Sequence, residues 1–125
     1  MSYNFDNERP IYVQLLEYIR LQIVSGVLKP SDRLPSVRDL ALNMKVNPNT
    51  MQKALSELEE EGLIYTERTN GKFVTENKDL IEKVKRKLAE EKVKNYINDM
   101  NNIGITYEEA IYYLQEMGGE KWWNY

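Results

Sequence analysis

Apolar residues keep helical spacing through the first half of the chain, and then the period shortens. After Pro10, a residue suited to the first turn of a helix, they recur at Tyr12, Leu15, Leu16, Ile19 and Ile23. Gly26 ends that run, and Lys29-Pro30-Ser31-Asp32 reads as a turn. Ser36 has the form of an N-cap, with Asp39 at the third helical position and Val37, Leu40, Ala41 and Met44 on one face. Only Lys45 and Val46 separate this short helix from Asn47, a second N-cap, which is followed by Pro48 at the first helical position. Two helices joined so tightly predict a helix-turn-helix. Beyond Gly62 the pattern becomes strand-like in Leu63–Arg68 (LIYTER) and Lys72–Thr75 (KFVT), around Thr69-Asn70-Gly71, where Asn-Gly is a hairpin signal. Helix, helix-turn-helix and hairpin, in that order, make a winged helix.

The remainder returns to helical spacing. Asp79 to Met100 is a charge-rich helix with Ile81, Val84 and Leu88, then Val93, Tyr96, Ile97 and Met100, and the step from 88 to 93 predicts a kink or a rotation of the buried face. Thr106 and Glu109 form a capping box for a second helix, whose stripe is Tyr107, Ala110, Ile111, Leu114 and Met117 and which ends at Gly118-Gly119. Two helices cannot bury both stripes alone, so pairing with the same helices of a second subunit is the economical solution. The residues expected at that interface are Ile81, Val84, Leu88, Tyr96, Ile97, Met100, Ile111 and Leu114. The fold class is therefore mainly α (α+β): an N-terminal winged helix-turn-helix over 1–77 and a two-helix dimerisation region over 78–125.

Composition removes several chemistries. A chain of 125 residues has room for one core and a small appendage, and it contains no cysteine and no histidine, the commonest general base and metal ligand. No run of about eighteen apolar residues occurs, and MSYNFDNERP lacks a basic start followed by an apolar stretch, so a cytoplasmic, unexported protein without membrane association is expected. An enzyme is excluded on the same grounds: the best carboxylate pair, Glu108 and Glu109, is adjacent on a helix and has no base, metal-ligand set or phosphate loop beside it.

Charge changes the picture more. The net charge of −3 argues against nucleic acid, but its distribution does not. Between residues 29 and 53 stand Lys29, Arg33, Arg38, Lys45 and Lys53 against Asp32 and Asp39, and Glu57, Glu59, Glu60 and Glu61 follow at once. The helix opening at Asn47 thus has its acids at the carboxyl end and none at the amino end, the reverse of what the helix dipole favours. A bare start leaves its N–H groups and dipole free for phosphate. On a wheel at about 100° per residue, Met51, Ala54, Leu55 and Leu58 face inward; Asn49, Gln52, Lys53 and Ser56 lie opposite, with Thr50 on the flank. Asn and Gln can read base edges in a major groove. Arg68 and Lys72 stand beside the hairpin tip, where a wing touches phosphates or a minor groove. Glu59, Glu60 and Glu61 are expected either to hold the helix off DNA in nonspecific poses or to pair with basic neighbours.

The stretch PIYVQLLEYIRLQIVSGVLKPSDRLPSVRDLALNMKVNPNTMQKALSELEEEGLIYTERTNGKFVTE, residues 10–76, resembles the DNA-binding head of the GntR family of bacterial transcription regulators, with RLPSVRDLA, VNPNTMQKAL and LEEEGLI in the family's order. The shortness of the rest makes it most similar to the small YtrA-type subfamily, whose members often regulate transporter operons. The resemblance implies that Arg38 touches DNA from the second helix and that Pro48, Asn49, Thr50, Gln52 and Lys53 enter the major groove. It makes Gly71 the wing glycine and puts Arg33 and Ser36 on the phosphate backbone or behind residues that contact it. Two departures stand out: many relatives have glycine in place of Ser31, and their wing tips hold more glycine and basic residues than TERTNGK.

A dimeric regulator of a double-stranded DNA operator is the expected function, as a repressor, because a small protein covering a promoter needs no activation surface. No cofactor is expected. A small-molecule effector stays open, since Tyr96, Tyr107, Tyr112, Tyr113, Trp122, Trp123 and Tyr125 could line a pocket, although packing at an interface or core is the better reading because aromatics are enriched at interfaces without any ligand. The alternative is a winged-helix module that docks protein through its acidic helix end and aromatic tail, without binding DNA.

Overall fold

The computed structural model describes residues 3–118. Its elements are α1 (Ile11–Val24), α2 (Val37–Met44), α3 (Pro48–Glu60), β1 (Ile64–Glu67), β2 (Gly71–Val74), α4 (Lys78–Asn102) and α5 (Tyr107–Gly118). The chain divides into two compact units between Lys85 and Arg86, inside α4. This is the expected architecture, mainly helical, with an N-terminal winged helix-turn-helix and two C-terminal helices.

The first unit is built on α3. Met51, Ala54, Leu55 and Leu58, all placed inward by the helical wheel, are fully buried, and α3 packs on α1 and α2, in which Leu15, Ile19 and Ile23 and Leu40, Ala41 and Met44 are also buried. Leu16, Val24, Leu34, Leu63, Ile64, Val74 and Ile81 are buried in the same core. Burying side chains of this size stabilises by about 1.5–3 kcal/mol each, which is why the periodic positions fix the packing.

Local signals place the helix ends. Ser36 Oγ accepts the Asp39 N–H at 3.1 Å, and Asn47 Oδ1 accepts the Asn49 N–H at 2.7 Å. Between the two helices Lys45 takes a left-handed conformation, φ 56°, which reverses the chain within two residues. Past α3, Gly62 at φ +81° lets the chain drop into the hairpin; a Cβ there would stand 3.2 Å from Leu80 Cδ2.

The hairpin lies where the sequence placed it, trimmed by a residue at most ends. Its register runs Ile64 to Val74, Tyr65 to Phe73, Thr66 to Lys72 and Glu67 to Gly71, so Gly71 opens β2 and the loop is Arg68-Thr69-Asn70. The segment before α2 adds a third pairing on the far side of β2: Arg33 bridges Phe73, and the Leu34 N–H donates to the Lys72 carbonyl at 2.8 Å.

The chain before Pro10 is also ordered onto α1, which the periodicity gave no sign of. Gln14 is fully buried, and its Oε1 accepts the Asp6 N–H at 2.9 Å while Nε2 donates to the Asp6 and Arg9 carbonyls, both at 3.0 Å. A buried amide must be satisfied, and here the N-terminal segment satisfies it. Arg9 closes the strap with two bonds to the Glu17 carboxylate, at 2.8 and 2.9 Å.

In the second unit the capping box forms as expected, Thr106 N–H to Glu109 Oε1 at 3.1 Å and Glu109 N–H to Thr106 Oγ1 at 3.2 Å. Tyr96 Oη donates to the Ala110 carbonyl at 2.7 Å, and Ala110 is the buried residue of α5. Tyr107, Leu114 and Met117 are exposed, at 56%, 56% and 50%. The α4 helix runs without interruption through the step from 88 to 93, where Val93 is exposed. Of the expected helix end at Gly118-Gly119, Gly118 is the last residue of α5, while Gly119 and the residues Trp122, Trp123 and Tyr125 lie outside the described residues.

Candidate nucleic-acid interface

The amino end of α3 is polar, exposed and free of acids. Pro48 sits at the first helical position, and Asn49, Gln52 and Lys53 are exposed, with Thr50 half-buried. Asn47 supplies two acceptors, its Oδ1 for the Asn49 N–H and its carbonyl for the Met51 N–H at 3.1 Å, which leaves the Thr50 N–H without an acceptor among the described residues. Gln52 Nε2 donates to Ser56 Oγ at 3.1 Å, which orients the amide along the helix face. The Lys53 ammonium lies 3.8 Å from the centroid of the Tyr12 ring. Tyr12 was expected only as a core residue of α1; at this distance its ring holds the cation by a contact worth about 0.5–1 kcal/mol at an exposed site.

Arg38 projects from α2 exposed, with no ion pair or hydrogen bond among the described residues. An unpaired guanidinium is a ready donor to a phosphate or a base edge. Ser36 is engaged as the α2 cap through its lone pair, so its hydroxyl proton is still available to donate.

In the wing, Arg33 and Gly71 come together: a Cβ on Gly71, which has φ +99°, would stand 3.6 Å from Arg33 Nε. Lys72 turns to its own chain, with Nζ 2.8 Å from Thr66 Oγ1 and 3.5 Å from Glu59 Oε2. Arg68 stays exposed at the tip without a partner among the described residues. Tyr65 stacks on Phe73 with centroids 5.6 Å apart, and partial desolvation, then the Glu76 and Glu67 carboxylates, raise its phenol above the ordinary value.

The acidic end of α3 is not a bare repulsive face. Glu61 accepts from Arg20 Nε and Nη2 at 3.0 and 2.6 Å, and Glu59 is taken by Lys72 and Thr66. Of the three glutamates expected to hold DNA away, two are therefore neutralised inside the domain, and the pairing alternative holds for them. Sequence gave no means of choosing, because Arg20 is far from Glu61 along the chain and only the fold joins them.

The expected dimerisation residues fall into two groups. Ile81 is buried in the first unit and Val84 is half-buried there; Leu88, Tyr96, Ile97, Met100 and Ile111 are half-buried and Leu114 exposed in the second. Among the described residues no three His, Cys, Asp or Glu side chains are grouped to hold a metal ion, and no helix is long and apolar enough to cross a membrane.

Residues 11–74, the span from the first turn of α1 to the end of β2, match the family model described as bacterial regulatory proteins, gntR family. The chain belongs to the GntR family. It is 37% identical over 112 residues to the HTH-type transcriptional repressor YtrA of Bacillus subtilis, covering 89% of this chain and 86% of that one. Among solved structures it is similar to a GntR family transcriptional regulator from Listeria monocytogenes, 42% identical with a TM-score of 0.84, covering 90% of this chain and 98% of that one. It is also similar to the DNA-binding domain of AraR in complex with operator ORX1, 26% identical with a TM-score of 0.55, over 60% of this chain and 95% of that one. As a GntR protein the chain is a DNA-binding transcriptional regulator and not an enzyme.

Proposed function

We propose that this GntR protein is a homodimeric repressor of a transporter-type operon that binds an inverted repeat, with residues 1–77 as the DNA-binding part and 78–125 as the dimerising part. The observation that carries the reading is the asymmetry of α3: an exposed amino end with no acid in its first turn, and a carboxyl end whose Glu59 and Glu61 are already paired. A helix start so arranged fits a phosphate backbone, with Asn49, Thr50 and Gln52 reading bases and Lys53 and Arg38 supplying charge. Arg33 and Ser36 add backbone contacts, and Gly71 lets the wing approach closely. Support for the dimer comes from the exposed stripe Tyr107, Leu114 and Met117, which a second copy would cover. The half-sites then lie about one helical turn, roughly 10 bp, or a multiple apart. Support for repression is the similarity to YtrA, itself described as a repressor. A small-molecule effector would act through the second unit, where Tyr107, Tyr112 and Tyr113 are exposed among the described residues.

The test is fluorescence anisotropy at two salt concentrations with DNA from upstream of the protein's own gene and a scrambled duplex, using wild type and Arg38→Ala. Preferential, salt-dependent binding that Arg38→Ala weakens is expected. Equal binding of wild type and Arg38→Ala to every duplex would remove Arg38 and the α2–α3 face from the reading.

A further inference from the structure

An isolated two-stranded hairpin is marginally stable, so a wing that meets DNA in a fixed place needs something to hold it. Its base is held by burial of Leu63, Ile64 and Val74 and by backbone bonds from Leu34 N–H to Lys72 O and Val74 N–H to Asp32 O, both 2.8 Å. From Thr66 to Gly71 every residue is exposed, and the body of the domain must reach this outer half through side chains. Three of them form a closed ring. Thr66 and Lys72 are cross-strand partners; Lys72 Nζ donates to Thr66 Oγ1 at 2.8 Å, Thr66 Oγ1 donates to Glu59 Oε1, and Lys72 Nζ lies 3.5 Å from Glu59 Oε2. Both carboxylate oxygens are engaged, and the Lys72 side chain is only 14% exposed.

Glu59 stands two helical turns after Gln52, on the same face of α3 and about 10 Å further along its axis. Ser56 lies between them and accepts from Gln52. One polar row thus leads from the proposed base-reading amide to the carboxylate that grips the wing.

We propose that Glu59 is a positioning residue for DNA binding: it fixes the wing tip relative to the reading face of α3, with Lys72 as its counter-ion, and the wing's phosphate contact falls to Arg68, which has no partner among the described residues. This rests on the DNA reading above. The sign of the effect separates positioning from simple charge. A carboxylate near a polyanion weakens binding by repulsion, so its removal would tighten the complex; a positioning carboxylate does the opposite, because its loss frees the wing.

The experiment uses the full chain and a duplex enriched by the wild-type protein from a random-sequence pool. Affinity is measured against salt for wild type, Glu59→Ala, Lys72→Met, the two combined, Arg68→Ala and, as a check on the DNA reading, Arg38→Ala. Hydrogen exchange over residues 66–72 is followed in the free protein. Glu59→Ala and Lys72→Met should each weaken binding by roughly threefold to tenfold without changing the salt slope, and the double variant should be no weaker than either, since both break one coupled unit. Arg68→Ala should lower the slope by about one. Both single variants should speed exchange over 66–72 and leave Leu34 and Val74 as they were. Tighter binding by Glu59→Ala, a slope lowered by about one in Lys72→Met, or unchanged exchange would each overturn the proposal. Failure to enrich any duplex, with Arg38→Ala indistinguishable from wild type, would instead remove the DNA reading and the positioning role with it, while the exchange data would still report whether Glu59 holds the wing.

Discussion

Arg20 on α1 grips both carboxylate oxygens of Glu61, the residue that closes α3, at 3.0 and 2.6 Å. The pair fixes the carboxyl end of α3 to α1, the helix on which it packs. Its side chains are 21% and 33% exposed, so water screens it less than an open surface pair. Paired geometry of this kind also suits an arginine and could not be reproduced by lysine.

Loss of that grip should destabilise the first unit without unfolding it. Arg20→Met is expected to cost about 1 kcal/mol, the scale of a well-formed, partly exposed ion pair, which lowers the melting temperature by roughly 4–8 °C in a domain of this size. Urea melts of Arg20→Met, Glu61→Gln and the double variant measure the coupling directly. Additive losses would mean that the two residues act independently and that the bond contributes nothing of its own.

Ser31 provides a prediction of opposite sign. It is held at φ 70°, a left-handed conformation that L side chains adopt at a cost, and its N–H is tied to the Val74 carbonyl at 3.0 Å. Glycine adopts this conformation without the steric cost that a Cβ brings. Ser31→Gly should stabilise by about 0.5 kcal/mol, the relief of strain less the extra freedom glycine gains in the unfolded chain. A stability loss in the same melts would show that the serine side chain contributes more than its backbone conformation costs.

These two positions also show what sequence could and could not reveal. Inward residues of α1, α2 and α3, the caps Ser36 and Asn47 and the hairpin were legible because each depends on residues within a turn or two of one another. The exposed polar start of α3 was legible for the same reason. Arg20 with Glu61, Lys72 with Glu59 and Lys53 over Tyr12 were not, since each joins elements that only the packed core brings together. The strap from Asp6 to Arg9 was hidden for another reason: its anchor is a buried glutamine, a residue type that pattern reading places in water.

Base reading should localise to Gln52. Its amide is exposed yet oriented by Ser56, so Gln52→Ala is expected to relax preference at one or two base pairs by about 1–3 kcal/mol each, while leaving the salt slope unchanged. Ser56→Ala should reproduce a smaller part of the same loss, because it frees the amide without removing it. A panel of single-base substitutions in the enriched duplex checks both. An unaltered preference in Gln52→Ala would shift base reading to Asn49 and Thr50.

The stripe on α5 tests the assembly. Leu114 is 56% exposed in the single chain, so Leu114→Asp removes little of the packing within its own unit, and helix content should stay as in wild type. In a dimer the same carboxylate would be buried against an apolar partner surface, where an unpaired charge is strongly unfavourable. Sedimentation equilibrium should then show dimers for wild type and monomers for Leu114→Asp. Binding to an inverted repeat should fall by about a hundredfold or more in the variant, because the second half-site no longer engages as an intramolecular event, whereas binding to an isolated half-site should change little. A Leu114→Asp protein that still sediments as a dimer would place the interface elsewhere, with Ile97 and Met100 on α4 the next residues to exchange.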